Sequence, residues 1–197
     1  MLSSFSLLAL LTPPATAQYL AVLPGAMAAF VACLVILFDV FHRSETSRDY
    51  LGYISALGLG LTALSCAYLW NHTSDQALFF GMLYLDRFSL LASGICSVAG
   101  MVAILLSPAY LRAHTMDRSE YYILILFAVS GMIFMTQSAD LLSFFLGLEV
   151  MSIPIYALAG FLRKDKRSAE AGLKYFILGA FSTGVLLYGV AFIYGLT

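Results

Sequence analysis

Charged side chains are scarce in this 197-residue chain: ten Lys and Arg against eleven Asp and Glu, 11% of the sequence, with a net charge of −1. So little charge excludes an ordinary soluble domain, and with no basic stripe or tail there is no footprint for nucleic acid. Cysteine is almost as rare. Cys33, Cys66 and Cys96 fall singly in three separate apolar segments, without paired spacing or a nearby histidine, which argues against a disulfide framework and a metal site. They read as small packing residues. His42, His72 and His114 lie in connections or at helix ends, so paired haem ligation, and with it a cytochrome, is disfavoured. No Lys or Arg precedes Arg43, so the apolar run Phe5 to Leu11 before Pro13-Pro14 lacks the positive flank of a cleaved signal peptide. Residues 1–18 are expected to form an external or interfacial lead-in.

Hydrophobic residues fill the remainder, at 61% of the chain and a mean hydropathy of +0.92. Six apolar segments are long enough to span a bilayer, at roughly 19–41, 50–70, 86–107, 120–138, 140–162 and 168–195. The strict alternation of a barrel strand is missing, and hydrocarbon offers no water to an open backbone, so all six are expected to be helices. The fold class is therefore all-α, a polytopic transmembrane helix bundle. We divide it into a lead-in, helices 1–4 over 19–138, and a helix 5–6 pair over 139–197.

Position, not sum, gives the charges their meaning. Arg43 and Arg48 fall between helices 1 and 2, Arg112 and Arg118 between 3 and 4, and Arg163, Lys164, Lys166 and Arg167 between 5 and 6, whereas Arg87 alone falls toward the other side. The positive-inside rule then puts these connections in the cytoplasm and the N-terminus outside. Other features are structural. Gly58-Leu-Gly60 has neither the third glycine nor the strand of a nucleotide loop. Gly52, Ala56 and Gly60 suit close helix packing. Asn71-His-Thr73 fits a glycosylation sequon, a pattern common by chance. Asp39 and Asp86 sit near helix ends and suit anchoring or capping, and Asp140 and Ser168 suit N-caps.

Two ionisable residues remain inside spanning segments: Glu149 in the fifth and Lys174 in the sixth. A charge at that depth costs roughly 2.5–3.5 kcal/mol on insertion scales, so each should face protein or water and have a use. On the segment bounds above, Glu149 lies about 20 Å from the intervening turn and Lys174 about 9 Å, so the two are not level and a direct salt bridge is not expected. Leu142, Phe145, Glu149, Ser152 and Tyr156 share one helix face, which brings a hydroxyl and a phenol to the carboxylate's stripe. Lys174 has Glu170 one turn earlier as a partner, and its long stem suits snorkelling to the headgroups. Pro154 should kink or loosen the fifth helix and free a carbonyl there.

The run Asp140-Leu-Leu-Ser-Phe-Phe-Leu-Gly-Leu-Glu149-Val-Met-Ser-Ile-Pro-Ile-Tyr156, followed by Arg167-Ser-Ala-Glu-Ala-Gly-Leu-Lys174-Tyr-Phe-Ile-Leu-Gly, closely resembles the subunit N family of bacterial NADH-quinone oxidoreductase, respiratory complex I. The likeness is dense over this stretch, looser from Asp86 onward, and confined to hydropathy in the first 80 residues. It implies the N-terminal portion of an antiporter-like subunit of the cell inner membrane. It also implies redox-coupled proton translocation, with Glu149 and Lys174 as the relay and Ser152, Tyr156 and Glu170 in support. No cofactor is implied for this chain itself: NADH, FMN, iron–sulfur clusters and quinone belong to other subunits. Its partners would be the lipid bilayer and those other membrane subunits. Two alternatives stay open. One is a cation/proton antiporter subunit with the same helix-5 glutamate and helix-6 lysine; the other is a non-transporting membrane scaffold whose buried charges only set helix register.

Overall fold

The computed structural model describes residues 16–41, 49–72, 76–113 and 119–196. Six helices account for nearly all of them: α1 (Thr16–Phe41), α2 (Asp49–His72), α3 (Arg87–Ala113), α4 (Glu120–Gln137), α5 (Leu141–Ala159) and α6 (Lys166–Leu196). All six are long and apolar enough to cross a membrane, which makes this a multi-pass membrane chain. Residues 1–15 of the expected lead-in lie outside the described residues, and its last three, 16–18, are already the first turn of α1.

The all-helical expectation needs one addition. Between α2 and α3 the chain forms a small antiparallel hairpin, β1 (Gln76–Leu78) and β2 (Leu83–Leu85), turned by Phe79, Phe80 and Gly81, all at positive φ (50°, 58° and 87°). Leu83 also bridges to Ser138, and the Ala139 N–H donates to the Met82 carbonyl at 2.9 Å, so the hairpin lies over the α4–α5 turn. This end of the bundle is the one opposite the basic connections.

Three bounds also move. α3 continues through Pro108 to Ala113, six residues past the expected end, and there Arg112 reaches Asp49 at the start of α2 (3.8 Å). α5 stops at Ala159 and α6 starts at Lys166 because the turn closes on itself. Asp165 accepts from the Arg167 N–H (2.9 Å), while Ser168 Oγ donates to the Ala159 carbonyl (2.9 Å) and accepts from the Leu162 N–H (3.2 Å). Ser168 is therefore a clasp within the turn, and the capping position expected of it belongs to Asp165. The other caps stand. Asp140 accepts from the Ser143 N–H (2.6 Å), and Asp86 exchanges hydrogen bonds with Ser89 in a reciprocal box at the head of α3.

The core centres on α4, whose Tyr122, Leu126, Val129 and Ile133 are buried among Ala28, Ala32 and Val35 of α1, Leu51 and Leu59 of α2 and Ile104 of α3. Between helices in lipid the hydrophobic drive is weak, so close packing over small residues supplies the association. Gly52 lies under the Tyr122 ring, Gly58 under Val31 and Gly100 under Val129. Gly60, expected to share that role, faces only the Met101 sulfur, and Gly58 takes the closer contact. Several buried hydroxyls are satisfied within their own helices, as in Ser55 to Leu51 O (2.8 Å) and Thr62 to Gly58 O (2.9 Å), while Ser93 on α3 bonds Thr136 on α4 (2.8 Å). α6 packs mainly on α5, and among its described residues only Gly172 and Val190 are buried.

Candidate functional site

The site begins with how α5 is held. Asp140 fixes its first turn, and seven residues on, Gly147 meets Gly131 of α4. A methyl at Gly131 would fall on α5 backbone, 2.8 Å from the Gly147 carbonyl oxygen, and one at Gly147 would lie 2.9 Å from the Met135 nitrogen. The helices therefore touch backbone to backbone. α4 is in turn tied to α1, where Ser130 Oγ donates to the Gly25 carbonyl at 3.0 Å. Glu149 follows two residues after this crossing, in the middle of a 19-residue helix.

Glu149 is half-buried, and its Oε1 is fully enclosed with no hydrogen-bond partner among the described residues. Such an atom in an apolar bundle costs free energy unless water or a proton attends it. The hydroxyl expected beside it is occupied elsewhere: Ser152 Oγ donates to Leu148 O on its own helix at 2.6 Å. The phenol is turned aside too. Tyr156 packs on Gly179 of α6, with its ring edge-on to Tyr175 (4.9 Å) and Phe176 (6.0 Å). The stripe exists, but its polar members do not converge on the carboxylate. α5 runs unbroken through Pro154, whose missing N–H leaves the Val150 carbonyl without its usual helical donor, one residue from Glu149.

Lys174 is placed apart. Gly160 lies against Gly172 and Tyr156 against Gly179, and carrying that antiparallel register along α5 sets Glu149 level with residues 183–186. Lys174 is nine to twelve residues short of that level, about 14–18 Å in depth. Its ammonium pairs with Glu170 at 2.5 Å, one turn earlier, on a face where both side chains are more than half exposed. The structure thus brings Lys174 together with Glu170 and does not bring either to Glu149.

Two features escaped the sequence. Gln137, on α4 about 9 Å along the axis from Gly131, is 2% exposed, and neither amide atom has a partner among the described residues. A glutamine at the end of an apolar run reads as a helix end, whereas here the hairpin bonds to Ser138 and Ala139 immediately after it. At the opposite, basic end, Asp39, Glu120 and Arg163 line a cavity of about 440 Å³ with Gly160 and Phe161, where Asp39 had been expected only to anchor α1. Nothing in their spacing, 39, 120 and 163, announces that meeting.

Residues 138–197, which comprise the α4–α5 turn, α5 and α6, match the family described as NADH:quinone oxidoreductase/Mrp antiporter, transmembrane. Among curated proteins, NADH-quinone oxidoreductase subunit N of Chloroflexus aggregans is 39% identical over 166 residues, 84% of this chain and 34% of the relative. The protein of the same name from Trichlorobacter lovleyi is 39% identical over 176 residues, 89% of this chain and 36% of its own. The chain thus spans about a third of the length of the curated relatives it matches. Among solved structures, a chain of respiratory complex I from Thermus thermophilus, determined with bound aureothin, superposes with a TM-score of 0.73 at 29% identity, covering 88% of this chain and 37% of that one. With the sequence likeness and the helix arrangement in agreement, this chain belongs to the antiporter-like membrane family that includes NADH-quinone oxidoreductase subunit N.

Proposed function

We propose that the chain is part of the antiporter-like membrane subunit of a proton-pumping NADH:quinone oxidoreductase in a bacterial inner membrane, and that Glu149 is its proton-exchanging group. One observation carries the reading: a mid-helix carboxylate, held by the Gly131–Gly147 crossing, whose Oε1 is enclosed and unpartnered among the described residues. A carboxylate at that depth is costly to keep unless it faces protein or water and has a use, and an enclosed acceptor oxygen without a partner is open to such a use. Lys174 with Glu170 forms a second station at another depth, linked to Glu149 through water or through groups on neighbouring helices. Ser152 and Tyr156 then act by holding α5, through its own backbone and against α6. The helix 5–6 pair, 139–197, is the ion-handling part, packed against helices 1–4. NADH oxidation, FMN, the iron–sulfur clusters and quinone belong to other subunits, with which this one shares the membrane.

The eight basic residues at the 42–48, 112–118 and 163–167 connections support an orientation with those connections cytoplasmic and the N-terminus outside. The test of function is Glu149→Gln in the full-length subunit, in membranes with equal amounts of assembled complex. Quinone reduction and ΔpH formation should both fall while assembly survives. Full pumping would show the carboxylate to be structural and leave the scaffold reading. Sodium-dependent exchange in vesicles without quinone reductase would establish the cation/proton antiporter instead.

A further inference from the structure

On the hairpin side of the bundle, a groove of about 740 Å³ runs between α2 and α3. Its floor is made of small residues, Ala63, Cys66, Ala67, Gly94 and Ala99, and its walls of Ile95, Val98 and their neighbours. At its mouth stands Trp70, with the Arg87 guanidinium 5.9 Å from the centre of the indole ring. Arg87 is the only basic residue assigned to that side of the membrane, it is exposed, and among the described residues no carboxylate pairs with it. The neighbouring Asp86 carboxylate is taken by the Ser89 N–H at 2.7 Å.

Length decides what fits. Along α2 the groove runs from Trp70 to Ala63, about 10 Å, and along α3 from Leu90 to Ala99, about 14 Å. That is the depth of one leaflet, half of a hydrocarbon core of about 30 Å. Beyond its deep end the Met101 sulfur lies over Gly60, 3.5 Å from where a methyl on that glycine would sit. A partner helix would need a seam across the whole span, whereas an acyl chain needs one leaflet's depth with a headgroup site at its top. Tryptophan at the interface and a free guanidinium provide that site, since arginine receives phosphate oxygens in a fork. We propose that the α2–α3 groove holds one acyl chain of an anionic glycerophospholipid from the hairpin-side leaflet, with its phosphate on Arg87 beside Trp70.

The experiment uses membranes carrying the full-length subunit, loaded with phosphatidylglycerol bearing a photoreactive diazirine midway along one acyl chain, and maps the adducts by mass spectrometry. Labelling should concentrate on residues 63–70 and 90–99 relative to the exposed apolar residues Phe181, Val185 and Phe192 of α6, which serve as the internal standard. Arg87→Gln, an exposed change that spares the core, should lower the groove-to-α6 ratio about fivefold, the factor expected for one cation at an anionic surface, and Arg87→Lys should retain most of it. Gly94→Leu, filling the floor, should lower the ratio whatever the headgroup, and a phosphatidylcholine probe should label the groove more weakly than phosphatidylglycerol. Equal labelling of groove and α6, or indifference to Arg87→Gln, overturns the assignment. So does the capture of another polypeptide by a cysteine introduced at Val98, which would mean that a helix covers the groove.

Discussion

Gly131 and Gly147 meet where α4 crosses α5, each occupying space that a methyl group on the other would need. This contact sets the position of the half-buried Glu149 carboxylate two residues beyond it. Gly131→Ala should therefore force the helices apart, at the roughly 1–3 kcal/mol typical of overpacking, and lower the thermal stability of the solubilised subunit. Gly94→Ala is the control: its new methyl would lie 3.9 Å from Cys66 Cβ, an ordinary contact, and should leave stability unchanged. Equal tolerance of both alanines would mean that the crossing is not tight.

Orientation gives a second expectation. A cysteine replacing the exposed Lys166 should react with a membrane-impermeant maleimide only from the cytoplasmic side, and one replacing Met82 in the hairpin only from outside. The reverse pattern would invert the topology and the direction of proton movement.

The turn between α5 and α6 separates two roles of its charges. Arg163, Lys164, Lys166 and Arg167 are all exposed, while the turn's own geometry rests on Asp165 and Ser168. Neutralising the four basic residues should disturb insertion of the last helix pair but leave correctly assembled complexes close to normal in turnover. Ser168→Ala should do the opposite, inserting normally while loosening the turn by about 1 kcal/mol, the net worth of a hydrogen bond. Immunoblots of membrane fractions and turnover per assembled complex distinguish the two.

How far the fold could be read from the residues depended on what each feature needed. Six spans were legible because hydrocarbon demands about twenty apolar residues per crossing, and no other reading of 87–113 or 166–196 satisfies that. The hairpin was not, since Phe79 and Phe80 at positive φ adopt a conformation that bulky side chains rarely take and that no local signal announces. The third segment was expected to end at 107, yet α3 passes through Pro108, because a proline removes one helical hydrogen bond without preventing the next turn. At the site, the depth of Glu149 and its mismatch with Lys174 followed from rise per residue alone. What periodicity cannot supply is the competitor for each polar atom. Ser152 lies on the right stripe but bonds Leu148, and Tyr156 lies on it but packs on Gly179.

The separation between Glu149 and Lys174 yields the last prediction. Because the two lie at depths about 14–18 Å apart and Lys174 already pairs with Glu170, removing the lysine should not strand the carboxylate. Lys174→Ala should thus slow quinone-coupled pumping by no more than about fivefold, the equivalent of an exposed pair's contribution. Glu170→Gln should act the same way, and the double variant should be no worse than either single one if they form one station. Glu149 has no such substitute on α5. Glu149→Asp keeps the charge but retracts it by one methylene: if water completes the path, the variant should keep at least about a tenth of the rate, whereas a requirement for direct contact should cost about a hundredfold. Measured as ΔpH formation per assembled complex, a steep loss in Lys174→Ala together with normal pumping by Glu149→Asp and Glu149→Gln would reverse the assignment, making the α6 pair the proton-exchanging station and Glu149 a packing residue.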